Sequence, residues 1–260
     1  MPRIGRSSRV VVLAGVMAAL AVGASYWISA SGPKQSMLPV ASVPLPAQVL
    51  VLETAVGELR KVLLADGSLA SLDSATRLEI RIDATQRRIL MQSGQAWFQV
   101  ASDKTRPFVV TAGPASVTAV GTAFSVQRHP GGAKVVVTEG IVTVGRMADQ
   151  LPVRVVAGQH ALIPEQRGIV SVRYQTDADM RQLAWREGMI VLKNDTLAQA
   201  VAQFNRYNRR QLVIVDPALR NRTFVGRYRV KDAEQFTDDV QALLKVRVRV
   251  TPTEILIGGK

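Results

Sequence analysis

The chain contains no cysteine, and that absence removes disulfide frameworks, thiolate metal sites and cysteine nucleophiles together. Histidine is nearly as scarce, with only His129 and His160. A metal site needs several converging ligands, so both are read as solvated turn or strand-edge residues. No Gly-x-Ser-x-Gly elbow occurs, and neither Gly121-Thr122 nor Gly131-Gly132 leads into the Lys-Ser/Thr of a phosphate loop. Gly121 is instead expected where a bulge or tight bend forbids a Cβ. Enzyme activity, cofactor and metal are therefore all expected to be absent. Acidic residues are also short: 33 Lys and Arg face 20 Asp and Glu, for a formal net charge of +13. Such a balance points to nucleic acid, an anionic membrane surface or an acidic partner.

One further shortage is local. No charged residue occurs between Arg9 and Lys34, and Val10 to Ile28 is mostly Val, Ala, Leu, Gly and Met. At ~1.5 Å rise per residue this run is long enough for a bilayer core of about 30 Å. Arg3, Arg6 and Arg9 precede it and are held in the cytoplasm by the positive-inside rule, while Tyr26 and Trp27 sit where an aromatic belt would lie. This predicts a short cytoplasmic tail over 1–9, a transmembrane helix over 10–30 and an exported remainder. Val22-Gly23-Ala24 leaves a cleaved signal peptide as the alternative, against which the long apolar run and the later aromatic pair argue. Residues 31–48 carry Pro33, Pro39, Pro44 and Pro46 and read as an extended linker. An exported domain does not meet DNA, so nucleic acid drops out as a partner.

With 47% hydrophobic residues the remainder can bury a core. Residues 49–175 read as an all-β domain. Arg77-Leu78-Glu79-Ile80-Arg81-Ile82 alternates polar and apolar, and Val135-Val136-Val137 is a β-branched run. Asp66-Gly67, Gly113-Pro114 and Glu139-Gly140 mark turns between strands. Two packed sheets or a β-solenoid both satisfy this pattern. Trp97 and Phe98 are adjacent in a strand, so one should enter the core and the other face outward.

From 176 to 260 the periodicity changes to a small α+β pattern in the order β-α-β-β-α-β-β. Met189 to Leu192 is a strand, and Thr196-Leu197-Ala198-Gln199 is a capping box opening a helix with Leu197, Val201 and Phe204 on one face. Strands at Leu212–Val215 and Thr223–Tyr228 follow. Asp232 with Gln235 should cap a second helix, and Val246–Val250 and Ile255–Ile257 end the chain. Few contacts are expected across the junction near Tyr174 to Arg186.

Six phrases keep a recognisable order: Leu64-Ala65-Asp66-Gly67-Ser68, Ser71 to Thr76, Gly94-Gln95-Ala96-Trp97-Phe98-Gln99-Val100, Arg106-Pro107-Phe108-Val109-Val110, Val120 to Val126 and Glu139-Gly140. Together they resemble the FecR family of inner-membrane sigma-factor regulators, and the C-terminal region looks like a secretin/TonB short domain. The resemblance implies a single-pass inner-membrane protein, its bulk periplasmic. Such a protein would relay the state of an outer-membrane TonB-dependent transporter, through that transporter's N-terminal signalling domain, to an extracytoplasmic-function sigma factor in iron or siderophore signalling. A family member of full pattern carries a helical cytoplasmic anti-sigma domain before its span. The nine residues here are too few to form one, which leaves an envelope scaffold or binding protein as the alternative.

Asp66 and Asp73 could pair as catalytic carboxylates, but each lies in a turn phrase where Asp bonds nearby amides. The arginines from Arg206 to Arg229 form a basic region suited to solvent, an acidic partner or lipid headgroups. The final strand, Ile255-Leu256-Ile257, is expected to be a free sheet edge that accepts a partner strand, with Arg227 and Arg229 steering an acidic partner onto it.

Overall fold

The computed structural model describes residues 49–146 and 151–258, all within one compact unit. The tail, transmembrane helix and linker expected over 1–48 lie outside the described residues. Among the described residues no helix is long and apolar enough to cross a membrane.

The chain first runs through strands β1 (Leu50–Glu53), β2 (Arg60–Leu63), β3 (Leu69–Leu72), β4 (Arg77–Ile82), β5 (Arg87–Ser93), β6 (Gln95–Gln99) and β7 (Phe108–Ala112). It continues through β8 (Ala115–Ala119), β9 (Ala123–His129), β10 (Gly132–Glu139), β11 (Ile141–Arg146), β12 (Val153–Val156), β13 (Gln159–Pro164) and β14 (Ser171–Tyr174). They build two seven-stranded sheets, ordered β1-β4-β5-β7-β8-β11-β12 and β14-β13-β10-β9-β6-β3-β2. Neighbours are antiparallel except β5 and β7, which pair in parallel because β6 crosses to the other sheet between them.

Alternation fixes what each strand buries. In β4, Leu78 and Ile80 point inward while Arg77 and Arg81 are exposed. Phe98, Phe108 and Phe124 meet at the centre with ring centroids 5.5 and 5.6 Å apart. One apolar core, including Leu72, Ile89, Val110, Val126 and Val135, fills the space between the sheets. Of the two arrangements the sequence allowed, packed sheets are the one adopted. Gly121 sits against Ser102, whose Cβ would lie 3.1 Å from an added Cβ, so close approach rather than a special φ explains it.

A mixed part follows: α1 (Asp177–Arg181), a 3-10 turn (Ala184–Glu187), β15 (Met189–Thr196), α2 (Leu197–Asn205), β16 (Gln211–Ile214), β17 (Thr223–Arg229), α3 (Ala233–Leu244), β18 (Val248–Val250) and β19 (Glu254–Ile257). β15 and β17 form one small sheet and β16-β19-β18 another. The capping box at α2 is present, Thr196 and Gln199 bonding each other's backbone amides. Asp232 stands at the N-cap of α3 but its side chain makes no cap bond. Phe204 and Phe236 stack at 4.5 Å with Tyr228 edge-on, and Leu192, Val240 and Ile257 complete this second core.

Trp97 belongs to that second core and not to solvent. Phe98 enters the sandwich, as alternation requires, while Trp97 leaves the opposite face of β6 and is covered by the mixed part. The junction therefore carries a packed seam, contrary to the sparse contacts expected.

Candidate functional site

Several buried charged groups lie along the seam. Just after β3, Asp73 is fully buried, and its Oδ2 accepts bonds from Arg206 Nη2 at 2.6 Å and the Tyr207 hydroxyl at 3.2 Å. Its Oδ1 has no partner. Arg206 Nη2 also reaches Gln95 Oε1 at 3.0 Å, and the Arg206 carbonyl accepts from Ser74 Oγ at 2.6 Å. Ser74 Oγ in turn accepts from the Gly57 amide at 2.9 Å. Gly57 has φ +79°, and an added Cβ would stand 2.5 Å from the Tyr207 carbonyl oxygen, so no side chain fits there.

Burial pushes the Asp73 carboxyl above its ordinary range, against the pull of Arg206 and the bonds from Ser74 and Tyr207. Burial and the neighbouring carboxylate raise the Tyr207 phenol. A carboxylate clamped by a guanidinium and a phenol that holds its proton form a fixed joint.

Two further contacts flank it. The Arg186 guanidinium lies 3.5 Å from the Trp97 ring centroid, and its pKa is lowered chiefly by burial. Asp179, in the first turn of α1, contacts Lys134 Nζ of β10 at 2.6 Å and His160 Nδ1 of β13 at 3.2 Å. Burial pushes Asp179 up, but Lys134 and Thr176 hold its carboxyl down at about 2.

Several expectations change here. His160 is buried against Asp179 and is not a solvated edge residue; His129 is exposed and accepts the Gly131 amide at 3.2 Å in its turn. Asp66 and Asp73 do not pair, since each has its own cation. Asp66 caps Ser68, as its turn phrase suggested, and also meets the buried Arg87 at 3.1 Å. Arg87 then bonds the carbonyls of Arg106, Ala101 and Asp103, tying the single connection between β6 and β7 to one guanidinium. Among the described residues no group of His, Asp and Glu could hold a metal.

The predicted docking strand is not an edge. β19 lies at the centre of its sheet, parallel to β16 and antiparallel to β18, with Ile255 and Ile257 buried and Leu256 half-buried. Its backbone groups are already used, so Ile255-Leu256-Ile257 cannot accept a strand. Arg227 and Arg229 are on β17, in the other small sheet; Arg227 meets Glu187 at 3.1 Å. Arg229 lines a cleft of about 560 Å³ together with Gly57, Leu59, Glu187, Met189 and Lys231. The structure thus separates the arginines from the strand they were expected to serve. It also removes Arg206 from the basic surface and places it in the joint.

The signal that locates the joint is the run Phe204-Asn205-Arg206-Tyr207-Asn208 at the end of α2. Asn205 brackets Leu212 of β16 through both its amide groups, at 2.9 and 2.7 Å, and Asn208 reaches the Val230 carbonyl at 2.9 Å.

Comparison with known proteins bears on the β region and on the fold as a whole. Residues 51–143, from β1 into β11, match the family model described as FecR protein. Two crystal structures of a "putative anti-sigma factor" from Parabacteroides distasonis, at 2.50 and 1.65 Å resolution, share the fold with a TM-score of 0.65. Each is 20% identical in sequence, and the likeness covers 82% and 81% of this chain and 100% and 99% of theirs. Both parts of the described chain therefore recur together in that fold. No curated protein matches the chain.

Proposed function

We propose that this chain regulates a sigma factor by binding, with no bond made or broken. In this reading it is a single-pass inner-membrane protein whose β region and secretin/TonB short-domain-like part lie in the periplasm. It relays the state of an outer-membrane TonB-dependent transporter, of the iron or siderophore type, to an extracytoplasmic-function sigma factor. The observation that carries the reading is the FecR match over residues 51–143, which falls on the strands of the sandwich. The fold shared with the Parabacteroides distasonis protein supports it.

The seam suits such a role. A partner gripping the mixed part would pull on α2, and Arg206 and Tyr207 would transmit that pull to Asp73 at the end of β3. The test is a pull-down of the tagged full chain from membranes. Co-purification of a transporter signalling domain or a sigma factor is expected. Recovery of envelope proteins with neither of these would replace regulation with a scaffold role.

A further inference from the structure

The sandwich face opposite the seam carries a like-charge pair. Arg81 of β4 and Arg88 of β5 are direct cross-strand partners, and both are exposed on the outer face of the first sheet. Opposed side chains in an antiparallel pair have Cβ atoms about 5 Å apart, and like charges there destabilise the sheet. Other arginines of the same sandwich find carboxylates: Arg77 meets Glu53, Arg87 meets Asp66, Arg106 meets Asp103 and Arg128 meets Glu165. Among the described residues Arg81 and Arg88 have no such ion pair.

A cleft of about 220 Å³ opens at this pair, lined also by Leu90, Thr111 and Glu79. Thr111 pairs with Leu90 across the parallel β5–β7 ladder, which sets its hydroxyl one row from Arg88. The volume is below the usual range for cofactor pockets, roughly 300 Å³ and upward, and suits a small group. Glu79 accepts a bond from the Gln92 amide. Its charge at the rim opposes an anion, so the two guanidiniums act there against one carboxylate.

We propose that Arg81 and Arg88 bind a phosphate-type oxyanion, with the Thr111 hydroxyl as a further donor. Guanidinium groups match phosphate oxygens two bonds at a time, and an anion between them turns the like-charge pair into two attractions. The same chemistry is offered by free phosphate and by the phosphodiester of a lipid headgroup. This inference does not depend on the sigma-factor reading.

The test is calorimetric titration of the purified full chain with inorganic phosphate and, separately, with glycerophosphoglycerol, at ionic strength held constant with sodium chloride. Saturable binding is expected for at least one probe, and the probe that binds names the source. Arg81→Gln or Arg88→Gln should each weaken it roughly tenfold or more, as loss of a charged hydrogen-bond donor predicts. Arg154→Gln, elsewhere on the same sheet, should leave it unchanged. With no anion present, Arg88→Gln should not lower Tm, because it relieves repulsion and both side chains are exposed. No saturable binding of either probe, or binding undiminished in Arg81→Gln/Arg88→Gln, would overturn the proposal.

Discussion

Asp73 and Arg206 form an unequal pair: the carboxylate is fully buried, while the guanidinium is 36% exposed. Removing the cation alone strands a buried charge that already has one unpartnered oxygen. Arg206→Met should therefore lower unfolding free energy by about 3 kcal/mol, the low end for a broken buried pair because Arg206 is part-solvated. The double variant Asp73→Asn/Arg206→Met should recover much of that loss, and urea denaturation of the four proteins measures it as a coupling energy. Acid reports the two seam carboxylates with opposite signs. Asp73 has a folded-state pKa above its ordinary 3.8, so its contribution is full below that value and is lost as pH rises through the folded one. Asp179 sits at about 2, so its contribution is full above 3.8 and is lost as pH falls toward 2. Urea midpoints taken across the acid range should show Asp179→Asn abolishing the loss at low pH. Asp73→Asn should abolish the decline on the higher side.

At the scale of elements, much of the architecture was legible. Alternation in Arg77 to Ile82 marked β4, and the capping box marked α2, because both signals are local. The order β-α-β-β-α-β-β was readable for the same reason. What sequence did not show was which strands lie beside which. β19 became central because β16, about forty residues earlier, pairs with it in parallel; such a pairing leaves no mark in local pattern. The candidate site was obscured similarly, since Asp73 meets Arg206 across 133 positions and each looked like a turn residue or a surface charge when taken alone. The central position has a direct consequence. Leu256→Pro removes a backbone donor from a strand paired on both sides, where proline is essentially excluded. Circular dichroism and thermal melting should show the mixed part losing its cooperative transition, a loss that partner binding assays on this variant would inherit.

The molecule as a whole should behave as one folding unit across its described residues, because the seam combines an aromatic anchor, a buried ion pair and a capped helix. Tryptophan fluorescence and far-ultraviolet dichroism are expected to give coincident melting curves, as two-state unfolding requires. Trp97→Ala should lower stability by about 3–5 kcal/mol, as for other buried aromatic truncations, and separate the two curves. Proteolysis between Tyr174 and Arg186 should be slow in the native chain and fast in that variant. Coincident curves and slow cleavage in Trp97→Ala would mean that the two parts hold together without the seam's aromatic anchor.

Trp97 and Phe98 are neighbours in one strand, yet they fill different cores. β6 is held between β3 and β9, and its register sets both residues at once. A slip of one position would turn Phe98 out of the sandwich and Trp97 into it, misfilling two sites in a single error. Trp97 consequently reaches the core of the mixed part only in this register, so that core reads the threading of a strand made about a hundred residues earlier.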